Sequence, residues 1–207
     1  LEDYGTAINA VHHLLAADPV KFGSWRDTLG LLYVQTQAYP QAYLICDELL
    51  NTKGYTELRM SIKALCAKRL QQPVEAINAY ATLFSKTGKT SYGFEQLQLE
   101  YAIRRLNESL ITGNKLLQSI PSNDSTIVTV AKLDGKSSQP VTLRAAIVNI
   151  MGLAYMDIKD KSSAVASFEL ALKDSPDFEQ AKNFADFLLI DSVFLASSPT
   201  DDIEVFA

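Results

Sequence analysis

The sequence predicts an all-α fold of stacked antiparallel helix pairs, interrupted once by a small β-hairpin. Two small-residue markers recur at one interval: Gly30 and Ala64 are 34 residues apart, and so are Ala42 and Ala76. Both markers lie in apolar patterns of helical period, so each interval holds two helices. One such pair cannot bury its apolar face alone, and the stacking of neighbouring pairs therefore supplies the core.

Fixed offsets around the markers indicate close helix packing. In the best-preserved copy, Ala164 is followed by Phe168 and then by Ala171, and the preceding helix carries Gly152 followed by Tyr155. Small residues let two helix backbones approach, while bulky residues fill the space between adjacent pairs. The same second-helix offsets recur three times earlier in the chain: Ala7, Val11, Leu14; Ala42, Cys46, Leu49; and Ala76, Tyr80, Leu83.

This pattern resembles the tetratricopeptide repeat (TPR), a helix-turn-helix unit of 34 residues. The resemblance implies a right-handed superhelical solenoid of antiparallel helix pairs, TPR-like, in a single array over residues 1–207. Its segments are the second helix of a truncated repeat at 1–22, repeats at 23–56, 57–90, 91–124 and 145–178, a β-hairpin insertion at 125–144, a closing helix at 179–196 and a tail at 197–207.

The individual helices have local signals of their own. Pro40 and Pro73 fall in the first turn of second helices, where the missing N–H costs little. In the divergent repeat at 91–124, three residues have the spacing of the first helix of the repeat: Phe94, Leu97 and Tyr101. The same spacing places three further residues in the slots of the second helix: Leu110, Asn114 and Leu117.

The segment between the last two repeats has the composition of a hairpin. Residues 127–130 are β-branched throughout, and Asp134-Gly135 is a turn signal. Residues 141–143 can return as the second strand. A flexible loop is the alternative interpretation of this segment.

Charge and composition exclude several classes of function. The net charge of −5 argues against nucleic acid as a partner, because such proteins present a basic face. The longest apolar stretch, 184–196, is broken by Asp186 and Asp191, so no membrane span is expected. Two cysteines are too few for a disulfide framework. The modest charge and the many Ser, Thr, Gln and Asn residues favour an exported or periplasmic bacterial protein.

No residue set predicts an enzyme, a cofactor or a metal site. The stretch 87–91, TGKTS, resembles the end of a phosphate-binding loop, but Leu83 stands where that motif needs glycine. His12 and His13 are adjacent, so on a helix they point about 100° apart and cannot share a metal. These two are the chain's only histidines, which leaves no candidate for a Ser-His-Asp or Cys-His set.

The TPR resemblance implies a non-catalytic scaffold for protein–protein interaction, with first helices lining a concave groove. The slot after the small residue of the first helix faces that groove in the family, and here the corresponding position of every repeat holds leucine. We expect an apolar or amphipathic peptide as the partner, bound by Leu31, Leu65, Leu99 and Leu153 with the neighbouring inward residues Leu58, Ile62, Tyr92, Ile150 and Met156. Alternatively, the hairpin or the tail residues 203–206 fold over this stripe.

A second function is structural. Residues 1–22 have the pattern of a second helix whose first helix is missing, which predicts an uncovered apolar face. The chain would then be an assembly segment of a larger secreted or periplasmic bacterial protein, associating through its solenoid ends. A homo-oligomer formed through the N-terminal end is a further expectation.

Overall fold

The computed structural model describes residues 3–121 and 123–197, with side chains up to residue 189. Within this part, ten helices and one two-stranded sheet form two compact units, Leu1–Arg105 and Leu106–Ala207. The first unit contains α1 (Tyr4–Ala17), α2 (Trp25–Gln35), α3 (Tyr39–Lys53), α4 (Glu57–Arg69), α5 (Pro73–Thr87) and α6 (Thr90–Ala102). The second contains α7 (Leu106–Ser119), β1 (Ile127–Ala131), β2 (Ser138–Thr142), α8 (Leu143–Asp157), α9 (Lys161–Asp174) and α10 (Glu179–Ser197).

The predicted all-α architecture of helix pairs with one β-hairpin is confirmed. In the first unit each helix from α1 to α6 packs against the next one along the chain. In the second unit α7 packs on α8, α8 on α9, and α9 on α10. The fourth predicted repeat, 91–124, contributes α6 to the first unit and α7 to the second.

One turn geometry joins the two helices of every pair. A non-glycine residue adopts the left-handed conformation in each of these turns, with φ between 57° and 66°. The amide that follows it donates to a carbonyl five residues earlier, the 6→1 bond of a Schellman cap. The left-handed residues are Gln37, Gln71, Arg104 and Lys159, and the four bonds run from Ala38 to Tyr33 (2.8 Å), Gln72 to Ala67, Arg105 to Glu100 and Asp160 to Tyr155 (2.9 Å each).

This turn corrects the predicted register of α7. The small marker follows the left-handed residue by five positions in the other pairs, and the same count from Arg104 gives Ser109. The structure buries Ser109, Gly113 and Leu116, whereas the predicted Asn114 is exposed. Because α6 ends one residue early, the spacing predicted for Leu110, Asn114 and Leu117 was wrong by one position.

Close helix contacts occur at the predicted small residues. A Cβ atom added to Gly30 would meet the Sγ atom of Cys46 at 3.1 Å, and one added to Gly152 would meet Cε1 of Phe168 at 2.7 Å. Phe168 is fully buried and stacks on Phe184 with ring centroids 5.6 Å apart. The absence of a side chain at Gly30 and Gly152 therefore allows the two helices of each pair to approach this closely.

The insertion is a hairpin, and its second strand belongs to the core of the second unit. Its strands are antiparallel, with Val128 opposite Val141, and Gly135 forms the turn at φ 66°. Val141 is only 2% exposed. The side chain of Gln139 donates to the carbonyl of Asp177 (3.2 Å) and accepts from the amide of Glu179 (3.3 Å), which ties β2 to the first turn of α10.

Candidate functional site

His12, the glycine of the TGKTS stretch and the two cysteines have structural environments that account for them. His12 Nε2 lies 2.9 Å from the hydroxyl of Tyr33. Gly88 ends α5 in the left-handed conformation, so the phosphate-loop resemblance marks a helix terminus. Burial raises the pKa of the Cys46 thiol to about 12 and that of Cys66 to about 11, which keeps both free thiols protonated.

Within 3–121 and 123–197 no group of three or more His, Cys, Asp or Glu side chains is arranged to hold a metal ion. None of the helices in this part of the chain combines the length and apolar character that a membrane crossing requires.

The predicted stripe of the first unit is only partly open. Leu31 and Leu58 are 39% and 40% exposed, and Leu65 is half-buried. Tyr92 and Leu99 are also half-buried and pack against the core between α4 and α5. Ile62 is 4% exposed and belongs to the core around Cys46, so its side chain is not available to a ligand in this conformation.

Paired charges flank this stripe. The carboxylate of Glu57 accepts from Lys89 Nζ (2.5 Å) and from the hydroxyl of Tyr92 (2.8 Å). The bond to Lys89, followed by that to Tyr92, lowers the pKa of Glu57, while burial and then the Glu57 bond raise the pKa of Tyr92 to about 12. Lys68 pairs with Glu95 in the same way across α4 and α6. Because these charges are already paired with one another, the exposed leucines Leu31 and Leu58 are the groups that remain to interact with a ligand.

An ion pair between the buried Arg59 and the partly buried Asp27 holds α2 against α4. Arg59 Nε and Nη2 donate to the two carboxylate oxygens of Asp27 at 2.6 and 2.8 Å, and Nη1 donates to the carbonyl of Gly54 at 3.1 Å. The side chains are 10% and 27% exposed. Hydrogen bonding to Arg59 lowers the pKa of Asp27. This bidentate pair fixes the relative position of two first helices that carry Leu31 and Leu58.

In the second unit the predicted residues lie on α8. Ile150 and Leu153 are half-buried, and Met156 lines a cleft of about 290 Å³ at the C-terminal end of the helix. The cleft extends to Lys159 and Lys161 at the turn into α9 and to the middle of α10. Nearer the N-terminus of α8, Asn149 Nδ2 donates to Gln180 Oε1 (2.6 Å) and so links α8 directly to α10.

Phe187 is a candidate that the sequence reasoning missed. It lines this cleft together with Leu188 and is 60% exposed. Its spacing carried the signal: it lies 34 residues after Leu153, and the same interval separates Leu31, Leu65 and Leu99. The prediction of 179–196 as a closing helix assigned it no groove residue. α10 is therefore related by spacing to the first helices of the repeats.

The outer face of α1 is less covered than its counterparts. Ala42 and Leu49 of α3 are fully buried, whereas the equivalent Ala7 and Leu14 of α1 are half-buried. Val11 is 4% exposed, and α2 packs against α1. The structure thus contains an α1 face whose apolar residues are more exposed than the same positions of α3 and α5.

Comparisons with known proteins identify the fold. No protein-family model matches the chain, and no curated protein sequence matches it. Among solved structures, a crystal structure of MamA protein is similar over 84% of this chain and 84% of its own, with 16% identity and a TM-score of 0.62. YrrB, described as a TPR protein with an unusual peptide-binding site, is similar over 87% of this chain and 86% of its own, with 15% identity and a TM-score of 0.61. A second MamA structure has 16% identity and a TM-score of 0.61 and is covered over 90% of its length. The chain therefore has the tetratricopeptide-like helical-repeat fold.

Proposed function

We propose that this chain is a non-catalytic scaffold that binds a protein segment or peptide through apolar side chains on its first helices. The observation that supports the proposal is an apolar slot that recurs at 34-residue intervals before the insertion and again after it. Its first and last members, Leu31 and Phe187, are 39% and 60% exposed. The members between them are half-buried: Leu65, Leu99 and Leu153. Apolar side chains held open at a repeated position are typical of a binding surface. The peptide-binding site named for YrrB is consistent with this use of the fold.

The expected affinity is modest. Fully burying a leucine contributes about 1.5–3 kcal/mol. Leu31 and Leu58 have 39% and 40% of their surface left to bury, so each would contribute about 0.6–1.2 kcal/mol. Micromolar binding requires about 8 kcal/mol, so the partner must add backbone hydrogen bonds or larger apolar side chains. Because the flanking charges are already paired, binding at the first unit should depend weakly on salt.

The test uses peptides selected from a random library on the parent chain. Leu31→Asp combined with Leu58→Asp should abolish their binding while far-UV circular dichroism stays unchanged, because both side chains are substantially exposed. Leu44→Asp is the matched control, since Leu44 is 68% exposed on α3 and outside the stripe. Leu65 and Leu99 are unsuitable sites for aspartate because they are half-buried. A folded double variant that retains every selected peptide would refute the first-unit groove.

A second function, assembly through the chain's ends, is favoured by the α1 face. Ala7 and Leu14 are less buried than the equivalent residues of α3, which leaves room for an additional helix. A second copy of the chain is one source of such a helix. In sedimentation experiments over a concentration series, Leu14→Asp should reduce self-association, whereas His13→Asp on the exposed side of α1 should not. A parent chain that stays monomeric throughout the series would exclude this function for the chain alone.

A further inference from the structure

The backbone hydrogen bonds of the hairpin show which way each amide of β1 points. The amide of Leu143 donates to the carbonyl of Thr126 at 2.7 Å, and the amide of Lys132 donates to the carbonyl of Ser137 at 2.9 Å. In an antiparallel ladder, hydrogen-bonded residue pairs alternate with pairs that are not bonded. The even-numbered residues of β1 therefore bond to β2, whereas the N–H and C=O groups of its odd-numbered residues point away from β2.

The outer edge of β1 is open. In the part of the chain that the structure describes, no group bonds to the outward amides of Ile127, Thr129 and Ala131. Ile127 is 58% exposed, and the other two residues are exposed as well. The strand reads IVTVA and contains neither a charge nor a proline, which are the usual protections of an edge strand. An edge of this kind can add a further extended strand.

The outer edge of β2 is closed by contrast. Pro140 lies opposite Thr129, at the centre of the outward row of β2, and supplies no amide donor there. The outward amide of Thr142 donates to Ser175 Oγ at 3.1 Å. The side chain of Gln139 bonds to the backbone at the start of α10, which holds this strand against the helices. The hairpin therefore extends through β1 and not through β2.

The charges at the two ends of β1 select a second copy of the same strand. Asp124 precedes β1, Lys132 follows it, and Val128 lies midway between them, so the three share one face of an extended chain. When two copies run antiparallel with Val128 at the centre, each Asp124 stands opposite Lys132 of the other copy. Opposite charges in such cross-strand pairs stabilise, whereas a parallel arrangement brings like charges together. Lys132 contacts Glu179 at 3.2 Å, and its side chain is still 36% exposed.

We propose that two copies of this chain associate by antiparallel pairing of their β1 strands, with Val128 opposite Val128 of the second copy. Ile127 and Thr129 of each copy then exchange backbone hydrogen bonds with Thr129 and Ile127 of the other. The product is a four-stranded sheet whose two outer edges are both β2, so assembly stops at a symmetric dimer. The interface is small, so the dimer is weak and forms only at high concentration. This surface is separate from the peptide groove and from the α1 face.

A cysteine at position 128 tests the register in the full-length chain. Residues of a pair that is not hydrogen-bonded have Cα atoms about 4.5 Å apart, within the range of about 4.4–6.8 Å that a disulfide requires. Under mild oxidation, Val128→Cys should therefore form a covalent dimer. Ala131→Cys should not, although it is more exposed, because six residues separate the two copies of position 131, or about 20 Å. The natural Cys46 and Cys66 are buried and do not compete.

Proline at position 129 tests the edge hydrogen bonds. The outward amide of Thr129 does not bond β2, so Thr129→Pro leaves the hairpin ladder intact and protects β1 as Pro140 protects β2. Sedimentation over a concentration series should show a dissociation constant about tenfold higher than in the parent, because two symmetric hydrogen bonds are lost. Thr129→Ala keeps the amide and is the matched control. Equal association of the two variants would overturn the proposal.

A charge variant keeps the test decisive if proline disturbs the hairpin. Asp124→Asn retains an oxygen that accepts from the Thr126 hydroxyl, and it removes the charge that faces Lys132 of the second copy. Its dissociation constant should be about threefold higher than that of the parent at low salt, and the difference should vanish at high salt. Equal dissociation constants at low salt would contradict the selection of a second copy by charge.

The remaining outcomes separate this dimer from the other proposals. Leu14→Asp on α1 should leave the Val128→Cys cross-link intact, and Thr129→Pro should leave the binding of library peptides intact. A cross-link that disappears in Leu14→Asp would assign the association to the α1 face and overturn strand pairing. Ala131→Cys that cross-links as readily as Val128→Cys would overturn the register. If Val128→Cys stays monomeric while extended library peptides protect the β1 amides from hydrogen exchange, the edge serves another protein and self-pairing is wrong.

Discussion

Replacement of Gly152 tests the close helix contact on which the repeat depends. The Cβ of alanine at this position would lie 2.7 Å from Cε1 of Phe168 and 3.0 Å from Cδ1 and Cζ. Carbon atoms in favourable contact are about 3.5–4.0 Å apart, so α8 and the ring must separate by about 1 Å. The ring has little room to retreat, because Phe168 is fully buried and stacked on Phe184.

Two opposing contributions determine the magnitude. Glycine to alanine in a helix interior stabilises by about 0.8–1.0 kcal/mol, whereas overpacking a core costs about 1–3 kcal/mol. We therefore expect Gly152→Ala to destabilise by about 1 kcal/mol. Gly152→Leu should cost about 3 kcal/mol or more, because leucine adds three carbons beyond the alanine Cβ without a comparable further gain in helix propensity.

The assay is urea unfolding followed by far-UV circular dichroism, with Gly5→Ala as the control. A Cβ at Gly5 meets only Asp3 Oδ1 at 3.5 Å, an ordinary contact, so this variant should be neutral or more stable by up to about 1 kcal/mol. Phe168→Leu should cost less in the Gly152→Ala background than in the parent, with a coupling energy of about 0.5–3 kcal/mol. If Gly152→Ala and Gly5→Ala stabilise the chain equally, the close-contact argument is refuted.

Three further predictions concern the first unit. Arg59→Met should lower the unfolding free energy by about 1.5–3 kcal/mol. Arg26→Met is the control: it removes the more exposed bidentate pair with Glu48 and should cost about 0.2–1 kcal/mol. Equal losses in the two variants would contradict the role of burial. The pKa of Asp27 is lowered in the folded state, so its ionised form contributes stability that is fully present above the ordinary pKa of 3.8. This contribution is lost as the pH falls through the lowered pKa of the folded state. The unfolding free energy measured over an acid pH series should show this loss in the parent and not in Asp27→Asn. Gln71→Gly should raise the unfolding free energy by about 0.5–1 kcal/mol, since it relieves a left-handed φ of 57°, and a lower melting temperature would contradict this.

The helix pairs and their order were predictable from the sequence, because helix packing constrains residues at short and regular intervals. Gly30, Gly152 and Ala164 are small for one local reason, the approach of two backbones, and that reason repeats along the chain. The hairpin was predictable for a similar reason. β-branched residues and the Asp134-Gly135 turn act within a few residues of each other.

The register of α7 depended on the tertiary structure, although a local signal for it exists. Burial of Ser109 and Gly113 follows from the position of α6, which has the same 13 residues as α4 but begins and ends one residue earlier than the 34-residue period predicts. The spacing of apolar residues alone did not reveal this shift. Only the left-handed turn at Arg104, a backbone property of a non-glycine residue, fixes the count. Periodicity tolerates an error of one residue, whereas a packed interface does not.

The accessibility of the candidate site is likewise a property of the tertiary structure. The sequence selects Ile62 and Leu31 by the same periodic pattern, yet the structure buries Ile62 and leaves Leu31 39% exposed. Exposure depends on residues from neighbouring helices that are far apart in the chain, and the same is true of the cleft that brings Met156 to Phe187. The sequence by itself determined which residues recur, because recurrence reflects local helix packing. Only the tertiary structure decided which of them a partner can reach, because solvent access is the sum of all neighbouring contacts.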